Sequence, residues 1–328
     1  MIVVKRRSRL LQVIISRVLQ SALGLVGASF IIFCLLTLLP GTAAVALLPD
    51  DATKQQVAQL SQRLGLNKPF FVQYFDWSKN ALTGNLGESL TSNQPVSTIL
   101  AERLPVTVEL VVLAFIISLA VAVPVAVLAA YRPGKSIDRL STLAGMVGLS
   151  VPVFVLGLIL ILLLAVHFHV FPSQGYVPMG TSIGQNLRAM LLPAVTIAFP
   201  LFCHYTRILR ADIIDQLNSG EYIVTARAKG LGELRVLIRH ALFNSLFTTL
   251  TFVGLNLGTM IGSTVVVESV FDIPGIGQEL ITAIEGRDIQ VVTAIVLVLA
   301  LAVIAANLVT DLLIAALDPR VSHGRVNG

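Results

Sequence analysis

Apolar residues in this chain are gathered into long stretches that are separated by shorter polar segments. A helix needs roughly 20 apolar residues to cross the hydrocarbon core of a bilayer, which is about 30 Å thick. Five stretches without a charged residue meet this length, and a sixth is shorter and contains Pro193 and Pro200. Proline is tolerated in membrane helices when neighbouring groups satisfy the freed carbonyls. The pattern therefore predicts six transmembrane helices, at residues 18–39, 110–131, 140–166, 189–205, 241–267 and 289–310.

The composition agrees with a membrane protein. Hydrophobic residues make up 55% of the 328 residues and charged residues 12%, and the mean hydropathy is +0.85. A soluble domain carries about a quarter charged residues, and a surface this poor in charge would aggregate in water. Cys34 and Cys203 both lie in apolar stretches and outline neither a disulfide framework nor a metal cluster. The basic N-terminus precedes an apolar run that is too long for a signal peptide, which predicts a retained first helix.

The basic residues predict the orientation. Sixteen of the 23 lysines and arginines fall in four connecting or terminal segments, residues 1–17, 132–139, 207–240 and 317–328. Because lysine and arginine are enriched in cytoplasmic segments, these four are predicted to lie inside, with both termini cytoplasmic. This placement explains the net charge of +5 without a nucleic-acid partner.

The remaining organisation is a long outer loop followed by a core domain. Residues 40–103 form the predicted extracytoplasmic loop, with an amphipathic helix at 53–64, aromatic residues suited to the headgroup level at 70–77 and turns around 91–94. A small cap that packs on the bundle is favoured over a ligand site. A core domain is predicted at 104–316, with five transmembrane helices and the loop 207–240.

The predicted cytoplasmic loop 207–240 contains a short helix. Three residues end the helix before it: Asn218, Ser219 and Gly220. Ser219 is predicted to cap the next helix, which occupies 222–229 and is ended by Gly230 and Gly232.

The charges and small residues of this helix fit a docking role. Glu221 lies in its first turn and Arg227 and Lys229 in its last, which suits the helix dipole. Ala226 and Ala228 are small enough for a partner to approach the backbone closely. An ordinary surface helix on a basic loop and a helix seated in the groove of another protein both remain open on physical grounds.

Several stretches resemble one family of transport proteins. TARAKGL at 225–231, followed by RHAL at 239–242, resembles the cytoplasmic coupling loop of binding-protein-dependent ABC importer permeases, in the dipeptide, oligopeptide and nickel branch. Other stretches resemble the same branch in the expected order: GLNKPFFVQYFDW with GNLGESL, LPVTVEL, VVVESVFDIPGIGQELITAI with RD, and NLVTDLLIAALDPR. Two stretches depart from the broad pattern. Val224, Thr225 and Ala226 replace Glu-Ala-Ala, so the consensus glutamate is absent, and Leu242-Phe243 replaces Leu-Pro.

The resemblance implies an all-α integral membrane protein of the type I ABC importer permease fold, a six-helix bundle with a short cytoplasmic coupling helix. It implies residence in the inner or plasma membrane and import of dipeptides or oligopeptides, with nickel, metal–chelator complexes and glutathione-like cargo as alternatives. The implied partners are a second homologous permease, two cytoplasmic ATP-binding subunits that bind ATP and Mg, and an extracytoplasmic substrate-binding protein. The residues implied to couple to the ATPase are Glu221, Tyr222, Thr225, Ala226, Arg227, Ala228, Lys229, Gly230 and Gly232.

Residues near the predicted outer side offer a candidate gate. The run 271–277 is dense in turn-forming residues and precedes a predicted short helix at 279–284. A hairpin that dips toward the pore and a plain external loop both remain open; the resemblance favours an outer gate or docking surface. The candidate gate or structural polar residues are Pro274, Gly275, Gly277, Asn307 and Asp311, of which Asn307 and Asp311 are predicted to make a polar contact between helices.

Other candidate chemistry is weaker. The run 133–136, PGKS, lacks the glycine and the strand context of a phosphate-binding loop, so no nucleotide site, cofactor or catalytic residue is assigned to this chain. His167 and His169 are predicted to be interfacial histidines and not metal ligands. Glu109, Glu268 and Asp311 are predicted to be able to reach the interface by snorkelling.

Two other classes of protein would need features that the sequence lacks. An ion-coupled transporter or channel tends to place ionisable residues at the bilayer midplane or to show inverted repeats. An intramembrane enzyme needs catalytic residues that converge within the spans.

Overall fold

The computed structural model describes residues 16, 18–31, 33–34, 53–63 and 68–317, and this part of the chain is largely helical. We number its α-helices in chain order. They are α1 (Val18–Ile31), α2 (Lys54–Arg63), α3 (Phe70–Leu82), α4 (Val96–Tyr131), α5 (Ser136–Ser150), α6 (Val153–Leu160), α7 (Ile183–Ser219), α8 (Glu221–Ala228), α9 (Glu233–Val236), α10 (Phe243–Phe271), α11 (Ile276–Glu285) and α12 (Ile289–Leu317). Two π-helical segments continue α6 and α9, at Ile161–His167 and Leu237–Leu242.

Four helical runs among the described residues are long and apolar enough to cross a membrane. These are α4, α7, the run Glu233–Phe271 and α12. They correspond to the predicted spans at 110–131, 189–205, 241–267 and 289–310. The first predicted span, 18–39, is described in part as α1, and residues 32 and 35–39 lie outside the described residues. The membrane-spanning, all-α prediction is therefore confirmed, although the spans differ in detail.

The third predicted span, 140–166, is not one straight helix. It is divided between α5 and α6, which are bent by 110° at a break of two residues. Val151 at the break is extended, with φ −88° and ψ 124°, and Pro152 follows it. A proline disfavours helical geometry in the preceding residue, which explains the break. If the pair counts as one span, it is the fifth of the described chain.

Helix α7 shows the opposite behaviour. Pro193 and Pro200 both lie inside it, yet it continues for 37 residues and ends at Ser219. The predicted membrane span 189–205 is only part of this helix, because a hydropathy criterion stops at Arg207. The helix end predicted at Asn218, Ser219 and Gly220 is confirmed, since α7 ends at Ser219. The predicted span and the segment that precedes α8 therefore belong to one continuous helix.

The described chain divides into two compact units. The first contains Val108–Ile273 and the described residues from Ala306 onward. Glycines allow close helix contacts within it. A Cβ at Gly148 on α5 would approach Cys203 Sγ of α7 to 2.7 Å, and a Cβ at Gly254 on α10 would collide with Thr310 of α12. Small residues at such crossings allow the backbones to approach, which is how membrane helices gain packing energy.

Gly254 and Gly262 provide a matched pair for testing this packing. Both lie in α10, but a Cβ at Gly262 would have no neighbour within 4 Å. We expect Gly254→Ala to destabilise the purified chain by about 1–3 kcal/mol, because the stiff β-branched Thr310 must move. Gly262→Ala should instead stabilise it by up to about 1 kcal/mol through helix propensity. Thermal unfolding in detergent measures both changes, and a Gly254→Ala variant as stable as Gly262→Ala would contradict this packing.

The second unit contains Val18–Thr107 and Pro274–Ala305. A buried carboxylate, Asp288, organises its polar turn. Asp288 Oδ2 accepts hydrogen bonds from Ser89 Oγ at 2.6 Å, from the Leu90 N–H at 2.9 Å and from the Thr91 N–H and Oγ at 3.3 and 3.1 Å. The turn predicted around 91–94 is therefore fastened to the start of α12.

Aromatic residues organise the same unit around α1. Phe30 and Phe33 of the α1 region contact Phe70, Tyr74 and Trp77 of α3, with ring centroids 5.2–5.9 Å apart. The contact agrees with the predicted packing of the outer segment against helices. The amphipathic helix predicted at 53–64 is present as α2, and the short helix predicted at 279–284 is present as α11.

Candidate functional site

The corner between α7 and α8 is built around Gly220. This residue leaves the helical conformation, with φ −75° and ψ 110°, and its N–H donates to the Gln216 carbonyl at 3.0 Å. A Cβ at Gly220 would lie 2.7 Å from that carbonyl oxygen and 3.0 Å from Ile223 Cγ1. Tyr222 secures the corner because its hydroxyl donates to Gln216 Oε1 at 2.5 Å. The short helix therefore leaves the end of α7 in a fixed direction.

Helix α8 has one face that belongs to the interior of this chain. Ile223 is fully buried and Ala226 is 5% exposed. They join a buried apolar cluster, which we call the seat, with members from α4, α7 and the run that leads into α10. The other members of the seat are Ala126, Ala130, Leu209, Ile213, Val236, Leu237 and Ala241. The seat connects α8 to three of the long helical runs.

The opposite face of α8 is open. Val224 is 66% exposed, and Thr225, Ala228 and Lys229 are also exposed. This face has an apolar centre with a cation at its end. A surface of this kind can contact a partner while the buried face holds the helix on the bundle. A displacement of α8 by such a partner would therefore also displace the side chains of the seat.

The end of α8 is a Schellman motif. Gly230 has a left-handed φ of +77°, its N–H donates to the Arg227 carbonyl, and the Leu231 N–H donates to the Ala226 carbonyl. Glycine adopts this conformation without the steric cost that a Cβ brings. Leu231 packs against the seat, so the turn after α8 is also fixed to the bundle.

A guanidinium–carboxylate pair bridges the same turn. Arg227 Nε and Nη2 donate to the two oxygens of Glu233, each at 3.0 Å. Both side chains are about half exposed, and exposed pairs of this kind contribute at most about 1 kcal/mol. The pair orients the start of α9 relative to α8 and does little for stability.

The sequence located this helix well but not all of its details. It was predicted at 222–229 and is found at Glu221–Ala228, ended by Gly230 as expected. The cap prediction was wrong. Ser219 is the last residue of α7 and its hydroxyl donates to the Asp215 carbonyl, while Gly220 holds the N-cap position.

The two alanines of α8 face different surroundings. Ala226, predicted to admit a partner, is instead packed inside the chain, whereas Ala228 is exposed. Val224, which the sequence reading did not select as a site residue, lies on the exposed face. Tyr222 is half-buried, and Gly232 precedes α9 as its N-cap.

The candidate outer residues have varied surroundings. In the second unit Gly275 and Gly277 are buried and Pro274 is partly buried. The N–H of Ile276 donates to Thr107 Oγ at 2.9 Å, which holds the start of α11 on α4. In the first unit Asn307 is exposed and Asp311 is partly buried. Residues 274–277 form a braced turn, and their gating role stays a prediction. The polar contact predicted for Asn307 and Asp311, which lie within α12, also stays a prediction.

The two glutamates predicted to snorkel do not reach outward. Glu268 is fully buried. Glu109 accepts hydrogen bonds from the Tyr176 hydroxyl at 2.9 Å and from Asn186 Nδ2 at 2.7 Å. Burial, followed by the hydrogen bond to Glu109 and its charge, raises the pKa of Tyr176 to about 12. Tyr176 therefore stays protonated at neutral pH and fastens the 168–182 segment to α4.

Metal-binding chemistry has little support in the described part of the chain. No group of three or more His, Cys, Asp or Glu residues is placed there to hold a metal ion. The side chains of His167 and His169 are exposed.

Two family models and several known proteins match most of this chain. Residues 122–323 match the family described as binding-protein-dependent transport system inner membrane component, and residues 10–111 match its N-terminal counterpart. A probable peptide ABC transporter permease protein of Sinorhizobium fredii is 37% identical over 89% of this chain and 93% of its own length. The oligopeptide transport system permease protein AppB of Bacillus subtilis is 36% identical over 94% of this chain and 99% of its own. The glutathione transport system permease protein GsiC of Escherichia coli is 32% identical over 93% and 98%.

Proposed function

Because the chain belongs to the family of binding-protein-dependent transport system inner membrane components, we propose that it is the permease subunit of an ATP-driven importer of peptides. Relatives that cover nearly the whole chain are named as peptide, oligopeptide and dipeptide transport permeases. This subunit forms half of the translocation path, and a second homologous permease forms the other half.

The observation that carries the proposal is the two-faced geometry of α8. One face, Ile223 and Ala226, is built into the seat, and the other face is exposed around Val224. We place α8 on the cytoplasmic side because the segments around it are basic, which also puts both termini in the cytoplasm. The exposed face docks on one of two cytoplasmic ATP-binding subunits.

The proposed mechanism follows from how α8 is attached. The ATP-binding subunits bind ATP and Mg, and their closure displaces α8. Because α8 is joined to α7 through the Gly220 corner and to α4 and α10 through the seat, these helices shift together. A collective shift of this kind opens the bundle toward a loaded receptor on the outer face, as alternating access requires. This chain performs no bond chemistry in the cycle.

Peptides are the proposed cargo, and a glutathione-like peptide is the second candidate. The second candidate is favoured by the similarity to the glutathione permease, which is nearly as complete as the similarity to the oligopeptide permease. Glutathione is itself a tripeptide, so both candidates fit one path. The separate receptor is proposed to select between them.

Reconstitution tests the proposal. The chain is incorporated into proteoliposomes with candidate ATP-binding subunits, a second permease and a receptor from the same organism, and in parallel by itself. We expect ATP-dependent accumulation of labelled di- to penta-alanine only in the complete assembly, with labelled glutathione as the comparison cargo. Uphill uptake by the isolated chain without the ATP-binding subunits would refute the proposed function. Accumulation of glutathione but none of the alanine peptides would replace the cargo by the second candidate.

A further inference from the structure

A buried ion pair joins α5 to α7 near the predicted cytoplasmic side. Arg210 Nη2 donates to Asp138 Oδ2 at 2.8 Å, and Arg210 Nε pairs with Asp138 Oδ1. The Asp138 side chain is 7% exposed and that of Arg210 28% exposed. One charge-assisted hydrogen bond and a second close ionic contact hold the guanidinium against the carboxylate. The two helices are therefore held in one relative orientation at this point.

The backbone before α5 strengthens the same junction. The Gly134 N–H donates to Asp138 Oδ2 at 2.7 Å, so the carboxylate holds the turn between α4 and α5 as well as Arg210. Gly134 has a left-handed φ of +77°, which aims its N–H inward. The turn 132–135, the start of α5 and the Arg210 region of α7 thus share one carboxylate.

The position of Arg210 relates this junction to α8. Its neighbours Leu209 and Ile213 are members of the seat. Arg210 precedes the end of α7 at Ser219 by nine residues, or about 14 Å along the helix axis. A displacement of α8 that moves the end of α7 therefore moves Arg210 with it.

Helix α5 has no member in the seat. Its described packing against α7 lies further along, where Cys203 Sγ donates to the Ala144 carbonyl and approaches Gly148. The ion pair is the polar connection at the end nearer α8. Without the Asp138–Arg210 pair, the start of α5 would not be held to α7 when α7 moves.

We propose that the Asp138–Arg210 pair is the positioning contact that makes α5 move with α7, and so sets how much cargo is imported for each ATP hydrolysed. This inference rests on the proposed function. Neither residue contacts cargo or nucleotide in this account; both act by holding two helices together. Loss of the pair uncouples the two activities and does not abolish hydrolysis.

The test measures uptake and ATP hydrolysis in the same proteoliposomes that hold the complete importer, with labelled alanine peptides as cargo. We expect Asp138→Asn and Arg210→Gln each to lower uptake per ATP hydrolysed at least tenfold, with hydrolysis changed less than threefold. Arg210→Lys keeps the charge and should retain at least a third of the wild-type ratio. The matched control is Asp76→Asn, which breaks the exposed Lys68–Asp76 pair and should leave the ratio unchanged.

A distance measurement tests the movement directly. Spin labels on Leu140→Cys in α5 and Asp215→Cys in α7 report the separation of the two helices before and after ATP is added. Both positions are exposed. The background carries Cys34→Ser and Cys203→Ser, the second of which keeps a hydroxyl donor for the Ala144 carbonyl. We expect a constant separation in the otherwise wild-type chain and a change of several ångströms in the Asp138→Asn background. A constant separation in both backgrounds would overturn the inference.

The outcomes separate the inference from the proposed function. Wild-type proteoliposomes that show no ATP-driven uptake would overturn both. A functional wild type in which Asp138→Asn and Arg210→Gln keep the normal ratio would overturn the inference alone. So would variants that lose uptake and hydrolysis in equal proportion, with Arg210→Lys no better than Arg210→Gln, because that result indicates a purely structural pair.

Discussion

Val224→Arg should reduce ATP-driven uptake at least about thirtyfold while the chain remains inserted and folded. Val224 lies at the centre of the exposed face of α8 and is 66% exposed in this chain. An unpaired guanidinium there would be desolvated by a docked ATP-binding subunit, and an interface residue of that kind costs about 2 kcal/mol or more, which is about thirtyfold in affinity. Uptake and the amount of ATP-binding subunit that co-purifies with the chain measure the effect.

Val224→Ile is the control for this experiment, because it keeps an apolar residue of similar shape at the same place. It should retain uptake and co-purification within about twofold, since a surface substitution of this size changes free energies by less than about 0.5 kcal/mol. Normal uptake and normal co-purification in Val224→Arg would show that this face of α8 makes no contact with the ATP-binding subunit.

Ala226→Leu should have the second-largest effect, for the opposite reason. Ala226 is 5% exposed and packed in the seat, so added methyl and methylene groups must displace neighbouring side chains. Overpacking of this kind costs about 1–3 kcal/mol. We expect a lower temperature of thermal unfolding in detergent, together with a loss of uptake of roughly tenfold as α8 is lifted from the bundle.

Ala228→Leu is matched to this variant in size, helix and residue type, but its side chain projects from the exposed face. Its thermal unfolding should equal that of the wild type. Only the unfolding temperature serves as the control here, because Ala228 belongs to the proposed docking face. Equal unfolding temperatures for Ala226→Leu and Ala228→Leu would contradict the division of α8 into a buried and an exposed face.

The positions of the spans were predictable from hydropathy, whereas the full lengths of the helices that contain them were not. The stretch 110–131 is only the apolar part of α4, which begins at Val96 and includes charged residues before the apolar part. Prolines show a further limit. Helix geometry is interrupted just before Pro152 but not at Pro193 or Pro200. Whether a membrane helix tolerates a proline depends on what satisfies the freed carbonyl, and that group comes from the surrounding fold.

The candidate site was predictable to the extent that its signals were local. Gly230 marked the end of α8 because a left-handed C′ position favours glycine. The buried face of α8 was not predictable, since an eight-residue helix with Ile223, Val224, Ala226 and Ala228 offers apolar residues on more than one side. A correct choice requires the neighbouring helices that form the seat.

Long-range polar contacts left no signal at all in the sequence. Asp138 and Arg210 are 72 positions apart, and Ser89 and Asp288 are 199 positions apart. Neither pair forms a spacing motif, because the contact is created by packing of helices that are distant along the chain. Such contacts between charged and polar groups hold each unit in one arrangement.

Crosslinking from the two faces of α8 tests the central claim most directly. In the complete importer, with Cys34 and Cys203 replaced, single cysteines at Val224 and at Ala226 are treated with a short maleimide photo-crosslinker and irradiated. The account predicts a covalent product with an ATP-binding subunit from position 224, whereas a cysteine at position 226 is enclosed in the seat and should take up no reagent. Absence of any product from position 224 in an importer that is active in ATP-driven uptake would contradict the account.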